Sequence, residues 1–505
     1  MPDSVEPTIA DATHVVSSPP EAPKSLPEPE APKSFKEWWS SDWGPGPLLA
    51  LALPLMISTG FMSLTLVTDR TLLYWQSEEA ASAAMGAGAL YWTLSCFPLG
   101  LLGYVSTFVS QYVGAQRYER IPVVVHHAMR LAWMLVPVFV LAAILAYVPF
   151  IISGHKPEMI RLEGTYLRVL LIGGIASLFT SAQAGLLTGL GRTAVVMMVD
   201  AISTGLNFVL ALLLIFGWGP VPAMGVLGAA IATAISLWVK APLLYLWMRS
   251  DARIRDLIFR PRVQSPSGRS VAAKIPWEPG IIKRLVLYGA PSGLQMLAES
   301  SAFTIILMQV GRLSELEMAA TTLALGLNVL AFVPMMGLGI GVGVLVGKHL
   351  LEKRIDLAQR TVNIALVMSV VYTFAFAIAL GLFPEQMSVL YAMGSKERFD
   401  QIRPILIPLL RVIALYCVLD GFQLVFVGAI KGAGDTWFVL LGTTAVAFGA
   451  VITGLIAEQF FGSSLMLWWY VIAGWVGAML LAFGGRYMQG KWKTMQVIEH
   501  EAELE

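Results

Sequence analysis

Charge is what this sequence has least of. Only 13% of its 505 residues are Asp, Glu, Lys or Arg, where an ordinary soluble protein carries about 25%. Hydrophobic residues make up 56%, more than a soluble globule of this length can cover with polar surface. The same apolar excess excludes a disordered chain. Cysteine is scarce too: Cys96 and Cys417 both sit in apolar runs, so a disulfide framework is excluded. The six histidines (His14, His126, His127, His155, His349 and His500) fall outside the apolar runs or at their edges, which argues against an intramembrane metal or haem site. Phosphate-binding Gly-Lys-Ser/Thr loops, Cys/His metal spacing and Gly-x-Ser-x-Gly elbows are missing as well. No enzyme activity, no cofactor and no ATP-driven pump is therefore expected. A net charge of +1 gives no field for nucleic acid.

What the sequence does have is apolar runs long enough to span a bilayer, which takes roughly 20 residues each. They lie near 48–74, 82–112, 128–152, 165–188, 194–217 and 224–248, and again near 284–311, 319–346, 361–383, 404–430, 437–459 and 465–485. The two sets of six resemble each other. Leu53-Pro54-Leu55 aligns with Ala290-Pro291-Ser292 and Gln111 with Lys348, both at an offset of 237. Gly189-Leu-Gly-Arg-Thr193 aligns with Gly432-Ala-Gly-Asp-Thr436 at an offset of 243. Six is even, so both halves enter from one side and are related by an axis along the membrane normal, a mark of transporters. The fold expected is an all-α membrane protein of twelve helices in two six-helix lobes. Its divisions are a tail over 1–45, a first lobe over 46–249, a basic loop over 250–282, a second lobe over 283–487 and a tail over 488–505.

Residues 1–34 lack an apolar core segment and read as a disordered tail. Phe35, Trp38, Trp39 and Trp43 then suit a segment at the headgroup level, with a partner-docking site as the alternative. Lys and Arg concentrate in the loops on the side of the chain ends: Arg117, Arg120, Arg192, Lys348, Lys353, Arg354 and the central loop from Arg249 to Arg284. The positive-inside rule then places both termini in the cytoplasm. Topology alone accounts for this basic loop, without a nucleic-acid or lipid ligand.

A carboxylate at the bilayer centre costs roughly 2.5–3.5 kcal/mol on insertion scales, so each one inside a span is a functional candidate. Ser292, Gln295 and Glu299 share one face of the seventh helix. Asp420 lies mid-depth on the tenth, with Tyr416 and Gln423 about one turn to either side. Two such carboxylates suit a hard cation such as Na⁺ or a proton; the alternative is a neutral carboxyl in a helix–helix hydrogen bond. Asp69 is followed by Arg70 and so reads either as a site residue or as an interfacial pair. Asp200, with Ser203, Thr204 and Asn207, lies about 10 Å from the inner end of its helix and is a gate residue or a hydrated structural one. Lys240 and Arg411 lie near helix ends and can snorkel. Phe303, Met335 and Met336 suit a plastic apolar pocket.

From about residue 46 to 487 the chain resembles the multidrug and toxic compound extrusion (MATE) family, in its NorM-type branch. The resemblance rests on Leu51-Ala-Leu-Pro54, Val109-Ser-Gln-Tyr-Val-Gly-Ala115, Gly185-Leu-Leu-Thr-Gly-Leu-Gly-Arg-Thr193, Leu206-Asn-Phe-Val209 and Gly225-Val-Leu-Gly-Ala-Ala-Ile-Ala-Thr233. It continues with Gly289-Ala-Pro-Ser-Gly-Leu-Gln-Met-Leu-Ala-Glu299 and Gly428-Ala-Ile-Lys-Gly-Ala-Gly-Asp-Thr436. It implies a monomeric inner-membrane antiporter exporting amphipathic, often cationic compounds in exchange for Na⁺ or H⁺. The family's second-lobe site matches Glu299, Asn328, Tyr416 and Asp420, and its first-lobe site matches Asp69 and Asn207. Ala211, Arg70 and the pair Leu323-Ala324 depart from the family pattern and favour coupling through the second lobe. A lipid-linked oligosaccharide flippase or polysaccharide exporter of the same superfamily is the alternative. It would need a strongly cationic cavity.

Overall fold

The computed structural model describes residues 44–499 apart from 221, 261, 265–269, 273–274, 276 and 388–395, together with Trp39 and Ser41. The expected disordered tail and most of the aromatic segment lie outside the described residues. Among the described residues, twelve helices are long and apolar enough to span a membrane. They are α1 (Gly46–Gln76), α2 (Glu79–Gly114), α3 (Arg120–Ile144), α4 (Pro157–Gly189), α5 (Thr193–Phe216) and α6 (Val226–Ser250). The second six are α7 (Pro279–Gly311), α8 (Glu315–Leu351), α9 (Ile355–Leu382), α10 (Phe399–Ala433), α11 (Thr436–Phe461) and α12 (Leu465–Met488). In hydrocarbon each backbone N–H and C=O must be satisfied within its own segment, which leaves the helix as the form these runs can take.

Several helix ends are written into the sequence. Ser77, Ser314 and Ser464 cap α2, α8 and α12 by accepting the N–H of Ala80, Glu317 and Leu467. All three caps lie on the face opposite the chain ends. Helix α3 departs from the apolar run at 128–152: it begins eight residues earlier, at Arg120, and stops at Ile144, and Val148–Ile152 forms a separate short helix. Hydropathy cannot see a helix end that leaves the bilayer carrying polar residues. His126 and His127 therefore lie inside α3. His127 is fully buried, with Nδ1 donating to the Val123 carbonyl (2.7 Å) and Nε2 accepting the Glu278 N–H (3.0 Å). The central loop is not wholly helical or irregular. Arg262–Gln264 and Ser270–Ala272 pair as two short antiparallel strands, β1 and β2. Helix α7 starts at Pro279, about one turn before the expected lobe boundary at 283.

The helix neighbours repeat with a shift of six. In the first lobe α1 packs on α5, α5 on α6, α6 on α4, and α4 on both α2 and α3. In the second, α7 packs on α11, α11 on α12, α12 on α10, and α10 on both α8 and α9. Across the lobes α1 meets α8 and α2 meets α7, so the same exchange relates the two interface pairs.

The lobes touch where their backbones can come close. A Cβ on Gly100 of α2 would lie 2.5 Å from Cα of Gly293 on α7, and one on Gly114 would run into the Lys348 carbonyl of α8. Cross-lobe hydrogen bonds lie in the same half of the molecule. Thr59 Oγ1 donates to the Val333 carbonyl (3.1 Å), Tyr104 OH to that of Lys431 (2.6 Å), and Gln111 Nε2 to that of Gly432 (3.0 Å). Beneath them Leu48, Leu51 and Leu55 of α1 pack with Leu338 and Val342 of α8. The lobes are thus sealed at the face of the chain ends. Gly60, further along α1, has nothing within 4 Å of an added Cβ.

Gly293→Val forces a side chain into the Phe97 backbone, an overpacking cost of about 1–3 kcal/mol or more. It should lower the thermal unfolding midpoint in detergent by several degrees, whereas Gly60→Val should not; equal midpoints would show that this contact does not hold the lobes together.

Candidate functional site

The polar groups inside the spans gather into three clusters. The first lies in the second lobe. Gln295 and Glu299 are one helical turn apart on α7, and Gln295 Nε2 donates to Glu299 Oε1 (3.1 Å). The other end of the same amide accepts from Lys431 Nζ on α10 (3.2 Å), so Gln295 links an ammonium to a carboxylate. Gln295 is 6% exposed, while Glu299 keeps partial access. Gly293, six residues before Glu299, meets the Phe97 backbone of α2, which places this stretch of α7 at the interface between the lobes. Asn328 of α8 donates to the hydroxyl of Tyr416 (3.0 Å), one turn from Asp420. Gln423 is buried on the same helix.

The second cluster is in the first lobe. Asp69 is 5% exposed on α1. Its Oδ2 accepts from Thr233 Oγ1 of α6 (2.7 Å), and Thr233 in turn accepts from Asn207 Nδ2 of α5 (3.1 Å). Arg70 points to the exposed side. Of the two readings open for Asp69, burial with Thr233 and Asn207 leaves no place for an interfacial Asp–Arg pair at the helix end. Two acceptors in this cluster, Asp69 Oδ1 and Asn207 Oδ1, are buried with no hydrogen-bond partner. Such groups are costly unless a donor or cation reaches them. Ala211, one turn beyond Asn207, is fully buried and adds only a methyl group.

The third cluster ties three helices of the first lobe. Asp200 of α5 accepts from Ser58 of α1 through one oxygen and pairs with Lys240 of α6 through the other. Lys240 therefore does not snorkel to the surface; its charge is met inside the lobe. Met335 is 2% exposed in the core between α1, α8 and α10.

The structure thus pairs Gln295 with Glu299, Asn328 with Tyr416, and Asp69 with Asn207 through Thr233. Asp200 and Asn207, both on α5, enter different clusters. Lys431, Thr233 and Ser58 are site residues that spacing does not single out. Lys431 sits just past the apolar run that ends at 430, so it reads as a loop cation, whereas α10 continues to Ala433. Among the described residues no three His, Cys, Asp or Glu side chains come together as a metal site. A hard cation at Glu299 and Asp420 would need neutral oxygens, which Asn328 and Tyr416 carry.

Comparison with known proteins gives the same repeat. The model of the MatE family matches residues 54–213 and again 291–456, so the second match starts 237 residues after the first (291 against 54). A probable multidrug resistance protein NorM of Pseudomonas putida is 27% identical over 440 residues, covering 86% of this chain and 93% of the relative. The multidrug resistance protein MdtK of Pectobacterium atrosepticum is 26% identical over 402 residues, covering 77% and 82%. Among solved structures, an outward-facing multidrug resistance MATE family transporter of the MOP superfamily superposes with a TM-score of 0.77 at 22% identity, covering 89% of this chain and 97% of the other. With a family match in each half, twelve spans in two equivalent lobes and relatives aligned along most of their length, the chain belongs to the MATE family, beside its NorM-type members.

Proposed function

We propose that this protein exports amphipathic, often cationic compounds across the bacterial inner membrane by alternating access, in exchange for Na⁺ or H⁺. The sealed face carries the chain ends and the basic loops, so by the positive-inside rule it is the cytoplasmic face. One observation carries the coupling reading: buried Asp69 Oδ1 and Asn207 Oδ1 lack a donor. A proton on Asp69 or a small cation between these oxygens would satisfy both. The second lobe offers Glu299 and Asp420, with Asn328 and Tyr416 as neutral oxygen donors.

The cycle follows from charge. From outside, a proton or cation neutralises the carboxylates. Neutral carboxyls tolerate the drier, closed packing of the outer half and hold a cationic substrate less well. Inside, release of the ion and binding of the next substrate reverse the preference. Only differential binding between the two packings can drive the exchange. Lys431, one glutamine away from Glu299, is an internal positive charge that opposes cation entry there. The flippase alternative would need a strongly cationic cavity, and it is disfavoured because Lys240 and Lys431 instead face carboxylates, directly or through Gln295.

Asp420→Asn, Glu299→Gln and Asp69→Asn should each reach the membrane and lose dye efflux by ten-fold or more. Wild-type efflux in a variant would remove that residue from coupling. In proteoliposomes a Na⁺ gradient alone or a pH gradient alone should drive uptake into inverted protein; response to neither would sink antiport. Lys431→Met should lower the half-saturating concentration of the coupling ion several-fold and Lys431→Arg should not. Identical ion dependence in both variants would show that this ammonium does not sense the site.

A further inference from the structure

The chain does not trail off after α12. Gly490, in the left-handed region at φ 73°, turns it back along the sealed face. Trp492 is 2% exposed and stacks on Tyr487 with ring centroids 5.0 Å apart. The chain then crosses from the second lobe to the first. Val497 and Ile498 are buried in the first-lobe core. The Val497 N–H donates to Gln111 Oε1 of α2 (2.8 Å), and the other end of that amide holds the Gly432 carbonyl of α10. Arg284 of α7 donates to the Val497 carbonyl (3.3 Å). Glu499 ends the run: Tyr112 OH donates to its Oε2 (2.7 Å), Arg120 Nη2 to its Oε1 (3.2 Å) and Arg117 Nη1 to its backbone carbonyl (3.0 Å). Arg120 at the same time forks onto Glu278, at 3.0 and 2.7 Å, where the central loop enters α7.

We propose that Val497–Glu499 is a releasable latch, a segment of the second lobe docked in a groove of the first, which must leave that groove before the cytoplasmic face can open. The proposal rests on the alternating-access reading above. Its chemistry is a two-residue apolar plug followed by a carboxylate between two arginines and a tyrosine. The lobe-crossing bonds at Gln111 and at Glu499 both span the plane along which the lobes would part. An occupant of the same groove with this pattern, apolar–apolar–acidic, would act as the latch does.

Burial pushes the Glu499 carboxyl up, but hydrogen bonds from Tyr112 and the charge of Arg120 outweigh it and hold it below the ordinary carboxylate value of 4.5. The charged form is therefore the docked form. Its contribution is present above pH 4.5 and is lost as pH falls through the depressed value. The charged groups facing it are Arg117 and Arg120, with Glu278 behind Arg120.

The test uses the full-length protein. Ser110→Cys places a thiol at a fully buried position between the lobes, beside Gly347. Its labelling by a permeant maleimide, read by peptide mass, reports opening without any transport. Adding Glu499→Gln, or ending the chain after Met495, should raise the labelling rate several-fold. Unchanged labelling in both would overturn the latch. In a second arm Gln111→Cys and Val497→Cys are oxidised together. Efflux should fall ten-fold or more and return on reduction. Undiminished efflux with the disulfide closed would overturn the proposal; if the pair does not close, the labelling arm decides the latch. Protein that transports in neither redox state would instead strike the transport reading, leaving the labelling arm to decide the latch.

Discussion

A charge inside a bilayer must be paired, reached by water or neutralised, and this one requirement organises the interior of the molecule. Asp200 meets it with Lys240 and Ser58 and so becomes a tie between α1, α5 and α6. Glu299 meets it in part, through Gln295, and keeps some access to the space between the lobes. Asp69 meets it least: one oxygen takes the Thr233 hydroxyl and the other takes nothing. The three carboxylates thus grade from satisfied to unsatisfied, and the unsatisfied ones are where a mobile ion has something to gain.

The internal repeat sets where these groups can stand without making them alike. At an offset of 237, Gln295 corresponds to Ser58 and Glu299 to Met62. The two equivalent positions of α1 and α7 each reach a lysine, through Asp200 in one lobe and directly in the other. The backbone symmetry is kept by glycine contacts such as Gly100 on Gly293, because these depend on the absence of a side chain. The polar chemistry is free to diverge, and it has. The first lobe buries Asp69 beside amide and hydroxyl groups, while the second links Glu299 to an ammonium through Gln295.

The sealed face is held by different physics. Its contacts are backbone to backbone, or amide and hydroxyl to carbonyl, with the Val497–Glu499 segment laid across them. None of these buries a large unpaired charge, and each is short-ranged, so a small rotation of one lobe breaks several at once. A face built in this way is tight when closed and separable when the ion sites shift the balance.

Much of this was legible in the amino-acid sequence. The scarcity of charge dictated membrane spans, the apolar runs counted them, and the Pro54/Pro291 correspondence revealed the repeat. Those are local or periodic properties, and hydrophobic burial in lipid acts on them residue by residue. The carboxylates Asp69, Asp200, Glu299 and Asp420 stood out for the same reason. What they touch could not be read there. That Asp200 meets Lys240, that Lys431 reaches Glu299 through Gln295, that His127 is enclosed within α3, and that Glu499 docks 387 residues away on Tyr112 are facts of packing. They depend on which helix faces meet and how closely, and only the tertiary structure decides that.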